Sequence, residues 1–388
     1  MRVTVEALGL VPGGVGGIET YVRNLLPHLV RLGGPHEFLV IVGCEARGLI
    51  TSGEPSVREW VVDASMPTAL RRFRFVRSVS QWIRVTRSHA QSPPDVYHCT
   101  MSFPRPAWGA RNMVITIHDL VAEHHPELLK PQDALLMRFF YRFGCRRASK
   151  VITISEYYKR TIVNRFGVEN DRVDVIHLGV DRNVFKPERG NDEASRIGKE
   201  YNLRRPYLLY PAHTWPHKNH LRLLAAMTHL LAEHRIDADL VLAGSQKHGH
   251  AAVLRDIERL GLSERVHWIG HVDHLRLAAL YRCAAAMIFP SLFEGFGMPI
   301  IEAMACGCPV VCSSIDTADD ITGDAAETFD PLDSHDISEA IARVLRDDGL
   351  RQSLIDRGMR HAAQFSWERT ARQTLSVYEQ VASEQGRM

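Results

Sequence analysis

The sequence predicts two doubly wound α/β domains in tandem, and three observations carry that prediction. Short apolar runs alternate with helical patterns along most of the chain. The runs are nearly all apolar instead of alternating apolar with polar, as strands buried on both faces of a parallel sheet must be. The alternation lapses once, around the polar stretch 188–193, and then restarts from a new strand, which marks a domain boundary. A chain of 388 residues is long enough to bury two such cores.

In the first half, strands are expected at 3–8, 38–42, 57–62, 96–99, 113–117, 151–154 and 173–178. The first strand runs into Pro12-Gly13-Gly14-Val15-Gly16-Gly17 and a helix over about 18–31; an Arg-rich helix follows near 134–148. In the second half, strands are expected at 207–210, 240–243, 266–269, 286–289 and 310–312. The helices there are 219–233, 251–260, 275–284 and 300–305, with helices filling most of what remains. The expected domains are 1–182 and 183–364, with a C-terminal helix at 365–388 returning to the first domain. In such sheets ligands bind outside the carboxyl ends of the strands, so chemistry is to be sought in the residues after each strand.

Composition narrows the function. Lys plus Arg number 47 and Asp plus Glu 45, a near-balance that argues against a nucleic-acid partner. The balance is uneven along the chain: residues 1–200 hold 28 basic and 21 acidic side chains, the remainder 19 and 24. Much of the excess is Arg71, Arg72, Arg74, Arg77, Arg84 and Arg87, interleaved with Leu70, Phe73, Val76, Val79, Trp82 and Ile83 at helical spacing. Such a helix suits either peripheral contact with an anionic membrane or a solvated face whose apolar stripe packs on its own domain. Seven cysteines without a C-x-x-C pair fit reduced thiols in a cytosolic protein. No apolar run is long enough for a spanning helix, and the N-terminus lacks a secretion-signal pattern, so a cytoplasmic location is expected, with peripheral contact at the inner face of the plasma membrane.

The strongest constellation runs from Pro290 to Gly307. An apolar strand ends at Pro290, a Gly-rich loop follows with Glu294, Gly295, Phe296 and Gly297, and a helix begins near Met298 and Pro299 with Glu302 about one turn in. Backbone N–H groups at that helix start suit an anion, and the two carboxylates suit sugar or ribose hydroxyls. Either carboxylate alone reads equally well as a dipole complement or a surface charge; the segment together describes a sugar-nucleotide seat. Gly16-Gly17, between a strand and a helix, is a second phosphate-type loop, but not the G-x-G-x-x-G of a dinucleotide site. Lys218 opens a long helix, where a cation is unfavourable without an anion beside it. His118 ends an N-domain strand, in a position open to either a structural or a site role. Asp237-Ala238-Asp239 mimics a metal-binding D-x-D but precedes its strand, so it is read as a loop and no metal is expected.

With these residues in hand, the chain resembles the retaining glycosyltransferases of family 4, whose E-x7-E signature matches Glu294 to Glu302. The resemblance covers most of the chain, through Gly16-Gly17-Ile18-Glu19, Thr116-Ile117-His118-Asp119, Ile154-Ser155-Glu156, His177-Leu178-Gly179-Val180-Asp181, Trp215-Pro216-His217-Lys218-Asn219, Leu242-Ala243-Gly244, Trp268-Ile269-Gly270 and Pro309-Val310-Val311. It implies the GT-B architecture, two Rossmann-like domains facing across a cleft. It implies that Glu294 binds donor-sugar hydroxyls, Glu302 the ribose and Lys218 the diphosphate. Gly17 would let the backbone approach the donor, His118 would lie near the reacting sugar, and Gly270 with His271 would lie by the base. Many relatives carry Arg five residues before the Lys; here His213 stands there, which neutralises less charge and cannot fork onto phosphate. The expected activity is retaining, metal-independent transfer of a sugar, mannose from GDP-mannose by likeness to bacterial mannosyltransferases, to a saccharide or lipid-linked acceptor in surface polysaccharide synthesis, with no cofactor. Two alternatives stay open: a nucleotide-sugar 2-epimerase of the same architecture, and a non-catalytic sugar-nucleotide sensor.

Overall fold

The computed structural model describes residues 1–11, 17–49, 57–62, 84–85, 87, 91–101, 112–188, 190 and 192–385. They form two compact units: Met1–Gly179 with Trp367–Met388, and Val180–Ser366. The divisions fall at 179/180 and 366/367, against the expected 182/183 and 364/365.

The first unit is built on a seven-stranded sheet of order β3-β2-β1-β4-β5-β6-β7. Its strands are β1 (Arg2–Ala7), β2 (Glu37–Gly43), β3 (Val57–Val62), β4 (Val96–Cys99), β5 (Met113–Ile117), β6 (Lys150–Thr153) and β7 (Val173–Val175). Every pairing is parallel, with Val5 opposite Val40 on one side and His98 on the other. All five residues of β5 are buried, as a strand covered on both faces requires. The last strand stops three residues short of the expected 178, because His177 turns its Nδ1 onto the Ile154 carbonyl at 3.0 Å in place of continued ladder pairing.

The helix Gly17–Leu32 buries Tyr21, Val22, Leu25, Leu26 and Leu29, an i, i+4 stripe. The terminal helix Trp367–Gln385 packs against it and belongs to this unit. A buried polar chain fixes that helix: Tyr378 Oη lies 2.5 Å from His98 Nδ1, His98 Nε2 lies 2.7 Å from Thr116 Oγ1, and Thr116 Oγ1 lies 3.1 Å from Tyr21 Oη. Thr370 Oγ1 also donates to the His177 carbonyl at 2.8 Å. Of the basic segment, Arg84 and Arg87 are exposed and helical and Val85 is buried. Arg71, Arg72, Arg74 and Arg77 lie outside the described residues, as does Gly16.

The second unit holds a six-stranded parallel sheet of order β10-β9-β8-β11-β12-β13. Its strands are β8 (Tyr207–Pro211), β9 (Asp239–Ala243), β10 (Val266–Gly270), β11 (Ala286–Phe289), β12 (Val310–Ser313) and β13 (Glu327–Phe329). The three-residue β13 was not expected; with only Phe329 buried it carries no apolar run to read. A helix Glu193–Glu200 occupies the end of the stretch read as polar, because Glu193 is buried in a two-point pair with Arg282, at 2.6 and 2.8 Å, and Ile197 packs inward. In both sheets the strand order reverses beside the first strand, between β1 and β4 and between β8 and β11. This reversal is the position at which doubly wound sheets bind ligands.

Candidate active site

In the second unit the reversal point gathers the predicted residues. The chain leaves β8 at Pro211 and β11 at Phe289, so loops 212–219 and 290–297 emerge side by side at the strands' carboxyl ends. They are sewn together: Leu292 N donates to the His217 carbonyl at 2.8 Å, and Tyr210 Oη donates to the Lys218 carbonyl at 2.6 Å while lying 3.2 Å from Ser291 Oγ. Asn219 stands left-handed at φ 60°, and its Nδ2 donates to the carbonyls of Pro290 at 2.9 Å and Pro331 at 2.7 Å. Asn219 is thus the cap before the helix His220–Ala232, which the sequence pattern had started one residue early.

Lys218 ends a short 3-10 turn and reaches Glu294 Oε1 at 2.6 Å, with its ammonium 5.8 Å from the Phe289 ring centre. The pair brings together two residues 76 apart in sequence. Its side chains keep only 17% and 11% of their surface, so the charges are held largely out of solvent. An ammonium has three donors, and Glu294 accounts for one.

Gly297 adopts φ 79° at the start of the helix Met298–Ala305. A Cβ there would meet Ile300 Cδ1 at 3.3 Å and Ile321 Cδ1 at 3.5 Å, so both conformation and space call for glycine. Phe296 is buried against Phe365, which anchors the loop, and Gly295 and Met298 are half-buried beside it. Glu302 lies on the buried face of the helix and accepts from Tyr281 Oη at 3.2 Å. Burial pushes its carboxyl up to about 7, with the Tyr281 hydrogen bond pulling the other way. A buried carboxylate at the edge of a strand-end site suits a ligand that brings its own hydroxyl donors.

His213 is half-buried, and its Nδ1 lies 2.9 Å from the Ser245 backbone N–H. Only an unprotonated Nδ1 accepts that bond, so the proton sits on Nε2. Burial, followed by the charges of Lys247, Lys218 and His271, lowers its pKa further below the usual histidine range. His213 is therefore a neutral donor at this position. Lys247 was not singled out from the sequence. It lies in the loop after β9, its N–H donates to Thr214 Oγ1 at 2.7 Å, and its ammonium is 5.8 Å from the Trp215 ring centre. The strand-end rule applied to Gly244-Ser245-Gln246-Lys247 would have found it. Gly270 ends β10 at φ 73° with its carbonyl bonded to Gly244 N at 2.7 Å, and exposed His271 follows.

The first unit carries the remaining predicted residues. His118 follows β5, buried, with Nε2 2.8 Å from the Thr100 carbonyl and its ring edge-on to Tyr21 at 4.6 Å. Burial holds its pKa at about 4, so the ring is neutral and Nε2 carries the proton donated to Thr100. Gly17 opens its helix exposed, and a Cβ there would meet nothing within 4 Å. The Asp237–Asp239 pair opens β9, at the end of the strand away from these loops. Asp237 is bound by Arg205 and Arg265, and Asp239 by Arg205 at 3.3 Å. Both carboxylates serve an arginine network.

Two doubly wound units, one with a cationic, glycine-lined pair of loops at its reversal point and a buried carboxylate behind them, define the GT-B class of glycosyltransferase. Comparison with known proteins makes this specific. Residues 191–361 match the family model for glycosyl transferases group 1, and residues 15–184 that for glycosyltransferase family 4. O-antigen chain mannosyltransferase B of Escherichia coli is 32% identical over 68% of this chain and 69% of its own length. The MMP alpha-(1->4)-mannosyltransferase of Mycolicibacterium hassiacum is 29% identical over 60% of this chain and 54% of its own. Among solved structures, sucrose-phosphate synthase of Thermosynechococcus elongatus superposes with a TM-score of 0.80 at 22% identity, covering 99% of this chain and 100% of that one. The chain belongs to glycosyltransferase family 4, with the group 1 glycosyl transferase domain in its second unit.

Proposed function

We propose that this glycosyltransferase moves mannose from GDP-mannose to a saccharide or lipid-linked saccharide acceptor in surface polysaccharide synthesis, with retention at the anomeric carbon and without a metal in the reaction. The observation that carries the reading is the convergence of Lys218, His213, Glu294 and the Gly295–Met298 loop at one reversal point, with Glu302 behind them. Mannose is supported by the two mannosyltransferase relatives, at 32% and 29% identity.

The chemistry follows from charge. Breaking the bond to diphosphate develops negative charge on the leaving group and an oxocarbenium-like sugar. Preorganised donors around the diphosphate lower that barrier. Lys218 supplies two ammonium donors beyond the one on Glu294, the helix start at Met298 supplies backbone N–H groups, and His213 supplies Nε2–H. The neutral imidazole leaves a charge deficit relative to arginine, and Lys247 makes it up. Glu294, held by Lys218, accepts from sugar hydroxyls, and Glu302 accepts from the ribose. Gly270 and His271 meet the base. In the first unit, Gly17 leaves the start of its helix open, with nothing within 4 Å of an added Cβ, and His118 stands at the end of β5.

A lipid-linked acceptor is supported by the surface of the first unit. The helix Pro131–Arg147 exposes Leu135 at 72% and Phe139 at 60%, beside exposed Arg142, Arg146 and Arg147. No helix among the described residues is long and apolar enough to cross a membrane, so contact through this face and through exposed Arg84 and Arg87 would be peripheral. The test is binding of GDP, UDP, dTDP and ADP by thermal shift, each with and without EDTA. Stabilisation by GDP alone, indifferent to EDTA, is the expected result; preference for another base overturns the donor assignment.

A further inference from the structure

A second polar cluster lies in the same unit, on the helices His220–Ala232 and Ser334–Arg346, which pack together. His229 and Glu233 stand four residues apart, on one face at the end of the first helix. His335 is the second residue of the other helix. Glu233 sits between the two imidazoles: its Oε1 is 2.8 Å from His229 Nδ1 and its Oε2 is 3.6 Å from His335 Nδ1. The two rings are tilted by 31° to each other with centres 3.7 Å apart. Among the described residues, this is the one group of three His, Cys, Asp or Glu side chains whose ligand atoms all fall within 4.8 Å of one another.

We propose that His229, Glu233 and His335 form a binding site for a borderline dication, Zn2+ foremost, which clamps the two helices. Ligands bonded at ~2.0–2.1 Å in a tetrahedral site stand roughly 3.3–3.4 Å from one another. The separations of 2.8 Å to Oε1 and 3.6 Å to Oε2 lie on either side of that edge, and one ligand atom from each residue falls within 4.8 Å of the other two, so side-chain rotations bring one atom of each residue onto one ion. Two imidazoles and one carboxylate suit zinc, nickel or copper, whereas magnesium and calcium call for oxygen ligands. The outer shell is in place as well: His229 Nε2 lies 3.4 Å from Ser334 Oγ, which leaves Nδ1 to face the ion. Asp330, Asp333 and Asp336 flank the cluster and make its surroundings negative. Exposures of 23%, 52% and 60% give an ion free entry and leave a fourth position to water. The clamp has structural reach, because Pro331, three residues before Ser334, accepts from the Asn219 cap of the first helix.

The test is calorimetric titration of the tag-free, chelator-stripped full chain with ZnCl2. One Zn2+ per chain is expected. Affinity should fall about tenfold or more in both His335→Ala and Glu233→Gln, as loss of a ligand at a three-ligand site requires. His125→Ala, which alters a His–Glu pair outside the cluster, should leave the isotherm unchanged. Far-UV circular dichroism keeps the variants comparable; all three substitutions are at the surface. Equal affinity in wild type and both cluster variants overturns the proposal, as does the absence of saturable binding in the wild type.

Discussion

Glu302 is a single residue whose burial costs stability, and under the proposed function that cost holds a carboxylate for the ribose. Its folded pKa of about 7 lies above the ordinary 4.5 because burial disfavours its charged form. The stability it contributes is complete below pH 4.5 and is lost as the pH rises through 7, a loss of about 3 kcal/mol on the alkaline side. Glu302→Gln removes that loss. Denaturant melts at pH 8 should show the variant more stable than wild type, with the gap closing toward pH 4.5, while nucleotide affinity falls. Wild-type nucleotide binding should itself tighten as pH rises through 7, since only the carboxylate accepts fully from ribose hydroxyls. At the other end of the diphosphate, Lys247→Ala should raise the KM for donor and lower kcat, and the loss should exceed that of an ordinary surface lysine, within about 0.5 kcal/mol of neutral. Steady-state kinetics with varied donor check this. Gly17→Ala should leave the melting temperature unchanged, because nothing lies within 4 Å of the added carbon, yet reduce turnover.

At the scale of elements, the site depends on two loops held by few bonds. Asn219 closes both carbonyls of the neighbouring loops and holds φ 60°. Asn219→Ala leaves those carbonyls unmet and puts in the left-handed region a residue that tolerates it less well than asparagine, and should cost about 2–4 kcal/mol by denaturant unfolding. Asn219→Gly relieves the backbone and should recover part of that loss. These elements also show what the sequence could tell. The apolar strand runs and the Glu294-to-Glu302 segment were legible because burial on both faces and a glycine-rich strand-to-helix turn leave plain patterns. The Tyr378–His98–Thr116–Tyr21 chain was not, since its members lie up to 357 residues apart (Tyr21 to Tyr378) and no local periodicity links them. Lys247 was legible in principle, since its loop follows the expected strand 240–243, but only the sheet order, with β9 beside β8, sets it next to the Lys218 loop. The helix Glu193–Glu200 was hidden because its stability comes from Arg282, far along the chain.

Across the whole molecule, acid should destabilise the fold. His98, His118 and His220 have folded pKa values lowered to about 3, 4 and 4 by burial, against 6.5 unfolded. Their contribution is complete above 6.5 and is lost as pH falls toward the folded values, at the limit about 3 kcal/mol each for His118 and His220 and about 5 kcal/mol for His98. Three such terms outweigh the opposing one from Glu302, so the net stability should fall between pH 6.5 and 4. The terminal helix makes the first unit depend on the far end of the chain. Truncation after Ser366 removes Tyr378, Val377, Val381 and Leu375 from its core and should lower the melting transition of that unit, read by calorimetry. The central claim concerns the second unit's loops, and one measurement tests it most directly: GDP release from GDP-mannose, with and without a mannose-terminated acceptor, in wild type and Glu294→Gln. Acceptor-dependent release, with mannose recovered in the lengthened acceptor and turnover reduced about a hundredfold in the variant, is the predicted result. Conversion of the donor to another free sugar nucleotide without acceptor, or equal turnover in the variant, would contradict it.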